Sequence, residues 1–257
     1  MTIHILIEVK ARELEGRSLV AFRAALAGHQ VFIGRVYQVL EGIEQGVIPA
    51  GVCFEKSISA ADEDKLKYRL ESGNNIVSQD EESGILSSSY EGFLNLRSSR
   101  ATLGMADAVF CWGQHDADAW RRRYPDLNFK IHLTGSPRVD FWKKDFDPYF
   151  ANDVVELRKK YGKYILVVSN FAMANGVIDQ EEMVRRAWED GRVNCVAEEL
   201  GFRNLIGDDV RMFGEFTVLL RRLSSDFKDL NFVVRPHPAE RMEPWMQALS
   251  DLGNVHI

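Results

Sequence analysis

A chain of 257 residues, 46% hydrophobic and 27% charged, can bury one large core or two modest ones and has ordinary globular composition. Its formal net charge of −6, with basic residues scattered except for short clusters such as Arg121-Arg122-Arg123, excludes a broad electrostatic footprint for nucleic acid, so no nucleic-acid partner is expected. Cys53, Cys111 and Cys195 are far apart and form no CxxC pair, which excludes a zinc ribbon or disulfide scaffold and fits reduced thiols in a cytosol.

Residues 3–9 form an apolar run bounded by charge, and residues 12–27 carry apolar side chains at helical spacing, which predicts a strand followed by a helix. Further short strands are expected at 31–33, 46–53, 75–77, 108–112 and 130–133, with helices at 60–71 and 115–124 between them. The alternation predicts an α/β chain built on parallel sheet. Pro137, Pro148 and the charged, aromatic stretch between them interrupt the pattern, so a first domain over 1–147 and a second over 148–257 follow. In the second, a helix at 153–161, a strand at 164–169, helices at 180–200 and 208–227 and a strand at 231–234 are expected, and 254–257 reads as one more strand. A doubly wound domain usually needs roughly 100 to 150 residues, so this second domain is expected to be incomplete.

No window approaches about 18 consecutive apolar residues, and the N-terminus lacks a basic region followed by an apolar segment and a cleavage site. A cytoplasmic protein is expected. Phe141-Trp142-Lys143-Lys144 mixes aromatic and basic residues, which leaves open a peripheral association with the inner face of the membrane beside the plainer reading of a linker.

Four segments carry candidate chemistry. In Val234-Arg235-Pro236-His237-Pro238-Ala239-Glu240, a strand ends and two prolines fix a turn, with Pro238 and Glu240 suited to the first turn of a helix. A helix N-terminus there would suit a phosphate, with His237 donating a hydrogen bond and Arg235 adding charge; the competing reading is a rigid turn. Ser78-Gln79-Asp80-Glu81-Glu82-Ser83-Gly84 follows a strand and sets three carboxylates in a row. One ionised group, Asp80, could attack an oxocarbenium-like centre while Glu81 or Glu82, with a raised pKa, handles protons, or the run is a solvated acidic loop. Arg97 and Arg100 follow on a probable helix and could pair with a sugar carboxylate, as could Arg138 in the hinge-like Leu133-Thr134-Gly135-Ser136-Pro137-Arg138-Val139-Asp140. Ser169 and Asn170 open the loop after the first strand of the second domain, where small side chains could approach a donor phosphate. DxD-like triplets at 62–64, 116–118 and 145–147 are too frequent in an acidic chain to be specific, and no metal or other cofactor is expected.

With these residues in place, the chain resembles the bacterial surface carbohydrate biosynthesis family related to retaining β-Kdo transferases of capsule and O-antigen assembly. The resemblance runs through IHILIEVKARELEGR, SQDEESG, ADAVFCWG, LTGSPRVD, SNFAMANG and VVRPHPAE. It implies a GT-B fold of two Rossmann-like domains, the first on the acceptor side and the second binding the nucleotide sugar. It also implies a CMP-activated donor, a glycan or lipid-linked acceptor, His237 and Glu240 on the nucleotide side, and Asp80 with Glu81 or Glu82 at the anomeric centre. Two other readings stay open: another nucleotide-sugar or polyol-phosphate transferase, and a non-catalytic binding module.

Overall fold

The apolar run at the N-terminus becomes β1 (Thr2–Ile7), buried from His4 onward, and passes through Glu8 and Val9 into α1 (Lys10–Leu26). The computed structural model describes residues 1–83 and 90–257 and divides into two units, Met1–Tyr149 and Phe150–Ile257. After α1, the first unit continues with β2 (Gln30–Arg35), α2 (Val36–Glu44), β3 (Val52–Glu55), a 3-10 turn at Ala60–Asp62, α3 (Glu63–Glu71) and β4 (Asn75–Ser78). Then come α4 (Tyr90–Arg97), α5 (Arg100–Met105), β5 (Ala108–Cys111), α6 (Gln114–Arg123), β6 (Ile131–Leu133) and α7 (Pro137–Asp140). All six strands pair in parallel in the order β2-β1-β3-β4-β5-β6. The winding therefore reverses between β1 and β3, and at such a switch point the carboxyl ends of the strands splay to leave a crevice.

One sheet face is dry. Ile76, Val109 and Cys111 pack there against Leu66 of α3, Leu94 of α4, Leu103 of α5 and Trp120 of α6. Each large side chain removed from water in this way contributes about 1.5–3 kcal/mol. On the other face, Gly16 of α1 lets the backbone of Arg138 in α7 approach so closely that a Cβ would lie 3.1 Å from the Arg138 nitrogen.

Two local expectations change in this unit. The segment 46–51 is not strand: Gly46, with φ +68°, turns the chain after α2, and only Val52–Glu55 pairs. Residues 36–44, which carried no expectation, form α2 because Val36, Val39, Leu40 and Ile43 share one face.

The second unit begins within α8 (Asp147–Tyr161), which starts six residues before the predicted 153 because Pro148 fits a first turn, where its missing N–H costs nothing. It continues with β7 (Tyr164–Val168), α9 (Ala172–Asn175), α10 (Gln180–Glu189), α11 (Val196–Asp226), β8 (Asn231–Arg235), α12 (Met242–Leu249) and β9 (Val255–His256). The strands form a parallel sheet in the order β7-β8-β9. The helices predicted at 180–200 and 208–227 are redistributed: Gly191, with φ +75°, ends the first early, and α11 runs unbroken for 31 residues. Its glycines at 201, 207 and 214 face open space, so packing of the opposite face outweighs their cost of about 1 kcal/mol each.

The core of this unit centres on Trp245, fully buried, with Phe213 edge-on at 4.9 Å and Phe171 at 6.1 Å between ring centres. β7 forms one margin of the sheet, where Ile165, Leu166 and Val168 are exposed and line, with Phe216, Leu219 and Phe227, an apolar groove of about 430 Å³.

Candidate functional site

In the first unit, the chain leaves β4 at the carboxyl edge of the sheet and turns through Gln79, Asp80, Glu81 and Glu82, of which the first three are buried. Gly84, the last residue of the SQDEESG motif, lies outside the described residues. Arg97 grips Asp80 with two bonds, Nε to Oδ2 at 2.9 Å and Nη2 to Oδ1 at 3.1 Å, and the Glu82 amide also donates to Oδ1, at 2.8 Å. The Trp112 indole donates to the Asp80 carbonyl at 2.7 Å, which fixes the turn. Glu81 accepts from Arg17 Nε at 2.8 Å, and Arg138 donates to its carbonyl at 3.3 Å. Glu82, half exposed, pairs with Arg12 at 3.0 Å and lies 3.8 Å from Arg97. Gln79 donates to the Gly135 carbonyl at 2.7 Å, tying LTGSPRVD to the same turn.

Arg97 and Arg138 are thus brought to the carboxylates. Arg100 is not: it pairs with Asp126 on the exposed surface. Arg12 and Arg17 carried no expectation. Their placement emerges only in the fold: the buried stripe of α1 includes Glu13, Gly16 and Arg17, where an ordinary amphipathic helix would bury apolar residues. Arg17 is 2% exposed, lies 4.2 Å over the Phe54 ring and donates to the Phe54 carbonyl at 2.9 Å.

The electrostatics separate the acids. Burial pushes the Glu81 carboxyl above the usual glutamate range, with Arg17 opposing the shift. Asp80 is held by the Arg97 guanidinium through two charge-assisted hydrogen bonds. An acid able to keep or take a proton therefore sits one residue from a charge-paired carboxylate.

Beside this turn, at the switch point, a cavity of about 750 Å³ opens between the carboxyl ends of β1, β2 and β3. Arg97 forms part of its wall, together with Glu8 and Lys56, which directly follow β1 and β3, Arg35, which ends β2, and Tyr37 in the first turn of α2.

In the second unit, β7 and β8 end side by side, with Val168 opposite Arg235. Ser169 and the exposed Asn170 follow β7, while the exposed Arg235 ends β8 and the exposed His237 and Pro238 come after it. The helix expected to begin at Pro238 starts only at Met242. Its place is taken by a turn closed by the Glu240 amide on the His237 carbonyl at 2.8 Å, after which 239–241 run beside 175–177: Val177 N donates to Ala239 O at 2.9 Å and Arg241 N to Asn175 O at 3.0 Å. The cause is the Glu240 side chain. It turns inward and accepts from Ser169 Oγ at 2.8 Å, the His237 amide at 3.0 Å and Trp245 Nε1 at 2.9 Å. Burial raises the Glu240 carboxyl, but these hydrogen bonds outweigh it and hold the group below the usual glutamate range.

Ser169, His237 and Glu240 therefore meet, with Glu240, 6% exposed, committed to the turn. The Ala239 amide donates to His237 Nδ1 at 3.2 Å, so a neutral ring carries its proton on Nε2, which has no partner among the described residues. Next to the turn, a cavity of about 340 Å³ is lined by Gly176, Asp179, Glu181 and Arg241. Among the described residues, no group of three or more His, Cys, Asp or Glu side chains is arranged to hold a metal ion, and no helix is long and apolar enough to cross a membrane.

No family model matches the chain and no curated protein matches it, so the family resemblance rests on the motifs alone. Among solved structures, the chain is similar to UDP-GlcNAc 2-epimerase from Neisseria meningitidis bound to UDP-GlcNAc, with a TM-score of 0.55 at 11% identity, over 100% of this chain and 71% of that one. LsrB from Clostridium saccharobutylicum in complex with AI-2 aligns over 99% of this chain and 69% of that one at 13% identity, but its TM-score of 0.32 carries no argument. The likeness to the epimerase is one of fold, and with the two parallel sheets it makes this an α/β protein of GT-B-like fold.

Proposed function

We propose that the protein acts on a nucleotide sugar, as a glycosyltransferase of bacterial surface polysaccharide biosynthesis that moves Kdo or a similar ulosonic acid from its CMP donor to a growing glycan with retention. The observation that carries this reading is the acidic turn after β4, where charge-paired Asp80 adjoins Glu81, pushed upward by burial. An Asp80 oxygen would bond to the anomeric carbon as the bond to the CMP phosphate breaks and its electron pair leaves with the phosphate. The acceptor hydroxyl would then attack that carbon, Glu81 would take its proton, and the bond to Asp80 would break. Glu82 would keep Arg12 and Arg97 in place. Arg97 and Arg138 would face the sugar carboxylate, with Arg100 further out. In the second unit, His237 Nε2–H would donate to a nucleotide phosphate, with Ser169, Asn170, Arg235 and Pro238 around the nucleotide and Glu240 positioning the turn. The setting would be the cytoplasmic face of the membrane, with Trp142, 78% exposed beside Lys143 and Lys144, nearest a lipid-linked acceptor.

The test is donor turnover by the purified chain with CMP-, CDP- and UDP-linked sugars, together with intact-mass detection of a covalent sugar adduct. Consumption of the CMP donor and an adduct abolished by Asp80→Asn are expected; unchanged turnover in that variant sinks the mechanism. A second reading, a binding module without turnover, draws on both Asp80 oxygens being engaged. It predicts no donor consumption with any of the three nucleotides.

A further inference from the structure

The cavity at the switch point has features that the acidic turn does not need. Four cations line it, Arg35, Lys56, Lys65 and Arg97. Three are neutralised locally: Lys65 by Glu55 at 3.0 Å and Asp62 at 3.5 Å, Lys56 by Glu8, and Arg97 by Asp80. Arg35 is the lining cation without a carboxylate partner among the described residues; its Nη1 donates only to the Tyr37 hydroxyl, at 3.3 Å.

Arg35 also stands where a cation is unfavourable. It occupies the N-cap of α2, offers no side-chain acceptor to the helix amides, and no acidic residue follows in the first turn. A positive group at the positive end of a helix dipole is unfavourable, and an anion in the cavity would answer both charges. Lys56, across the cavity, points the same way, since burial first and then Arg97 and Lys65 destabilise its ammonium. Tyr37, 59% exposed, offers an aromatic face, and Val36 and Leu40 supply apolar floor. A bare ion would use the charges and leave that wall idle.

We propose that this cavity binds an anionic sugar, a sugar acid or sugar phosphate, with Arg35 and Lys56 on the charged group and Tyr37 against the ring. The inference rests on reading the first unit as the acceptor side and names the class of sugar that side accepts.

The experiment is calorimetric titration of the full chain at low salt with glucuronate, glucose 6-phosphate and glucose, which differ in the charged group. Either charged sugar binds and glucose binds at least about tenfold more weakly, and Arg35→Gln weakens the charged sugar about tenfold, the effect of one charge-assisted contact. Tyr37→Ser weakens it as well, while Arg211→Gln, an exposed arginine of α11 paired with Asp208 and Glu215, leaves it unchanged. Binding of glucuronate alone identifies a carboxylate and of glucose 6-phosphate alone a phosphate. No binding of either, equal affinity for glucose, or wild-type affinity in Arg35→Gln overturns the proposal. No nucleotide is present in this titration, so its failure is distinct from a failure of the donor assay.

Discussion

Replacing Glu240 by glutamine changes one atom of the hub behind the His-Pro turn. One carboxylate oxygen receives Ser169 Oγ and the His237 amide, and the other receives Trp245 Nε1. A glutamine supplies one acceptor and one donor, so either the indole or the Ser169 and His237 pair must face an NH2. A stranded buried donor costs about 1–3 kcal/mol, and hydrogen bonds to a charged acceptor are stronger than those to an amide, so the expected loss is about 2–4 kcal/mol. The pH dependence supplies a second signature. Because the folded carboxyl is held below the glutamate range, its stabilisation is present above the unfolded pKa and is lost as pH falls through the folded pKa. Glu240→Gln lacks this ionisation, so the gap between wild type and variant should narrow as pH falls from about 5 toward 3. Urea unfolding followed by backbone hydrogen exchange in β8 and α12 reads the second unit directly. A loss under about 0.5 kcal/mol, within the range of an ordinary surface change, or a gap that does not vary with pH, would refute the hub.

Arg17→Met should cost about 3–5 kcal/mol by leaving buried Glu81 without its partner. Adding Glu81→Gln should recover part of that loss in a double-mutant cycle, whereas strict additivity would show that the pair is not coupled. Burial pushes the Asp116 carboxyl above its ordinary value, so its contribution is full below the unfolded pKa and fades as pH rises through the folded pKa. Asp116→Asn, which can still accept from the Trp112 amide, should therefore gain on wild type between about pH 4 and pH 7; a flat difference in urea stability over that window would contradict this. Gly51→Ala should destabilise by about 1–3 kcal/mol, because its Cβ would lie 2.3 Å from the Thr2 carbonyl oxygen, and an unchanged melting temperature would show that β1 can move aside.

The α/β class was legible because most strands are short apolar runs followed by helical spacing, as at Thr2–Ile7 and Lys10–Leu26. α2 was missed because Arg35 and Val36 pass from strand to helix with no turn residue between them. The acidic turn could be read locally, since three carboxylates after a strand are unusual in any context. Its partners could not: Arg17 reaches Glu81 across 64 positions, and only the parallel pairing of β1 with β3 and β3 with β4 places them together. The cavity lined by Arg35 and Lys56 depends on the reversal of strand order, which no local pattern encodes. The start of α12 was misplaced for a related reason. Pro238 and Glu240 fit a helix's first turn by composition, but Ser169 and Trp245, distant in sequence, draw the Glu240 side chain inward.

The margin of the second sheet has a practical side. A parallel strand with open amides and carbonyls, flanked by Ile165, Leu166 and Val168, can template another strand, and a neighbouring molecule carries the same strand. Copies share a net charge of −6, and the repulsion this produces reaches only about 8 Å at physiological ionic strength. Colloidal behaviour should therefore turn on salt more than on folding stability: dilute, low-salt solutions keep the molecules dispersed, and added salt brings on association through this margin while each fold stays intact.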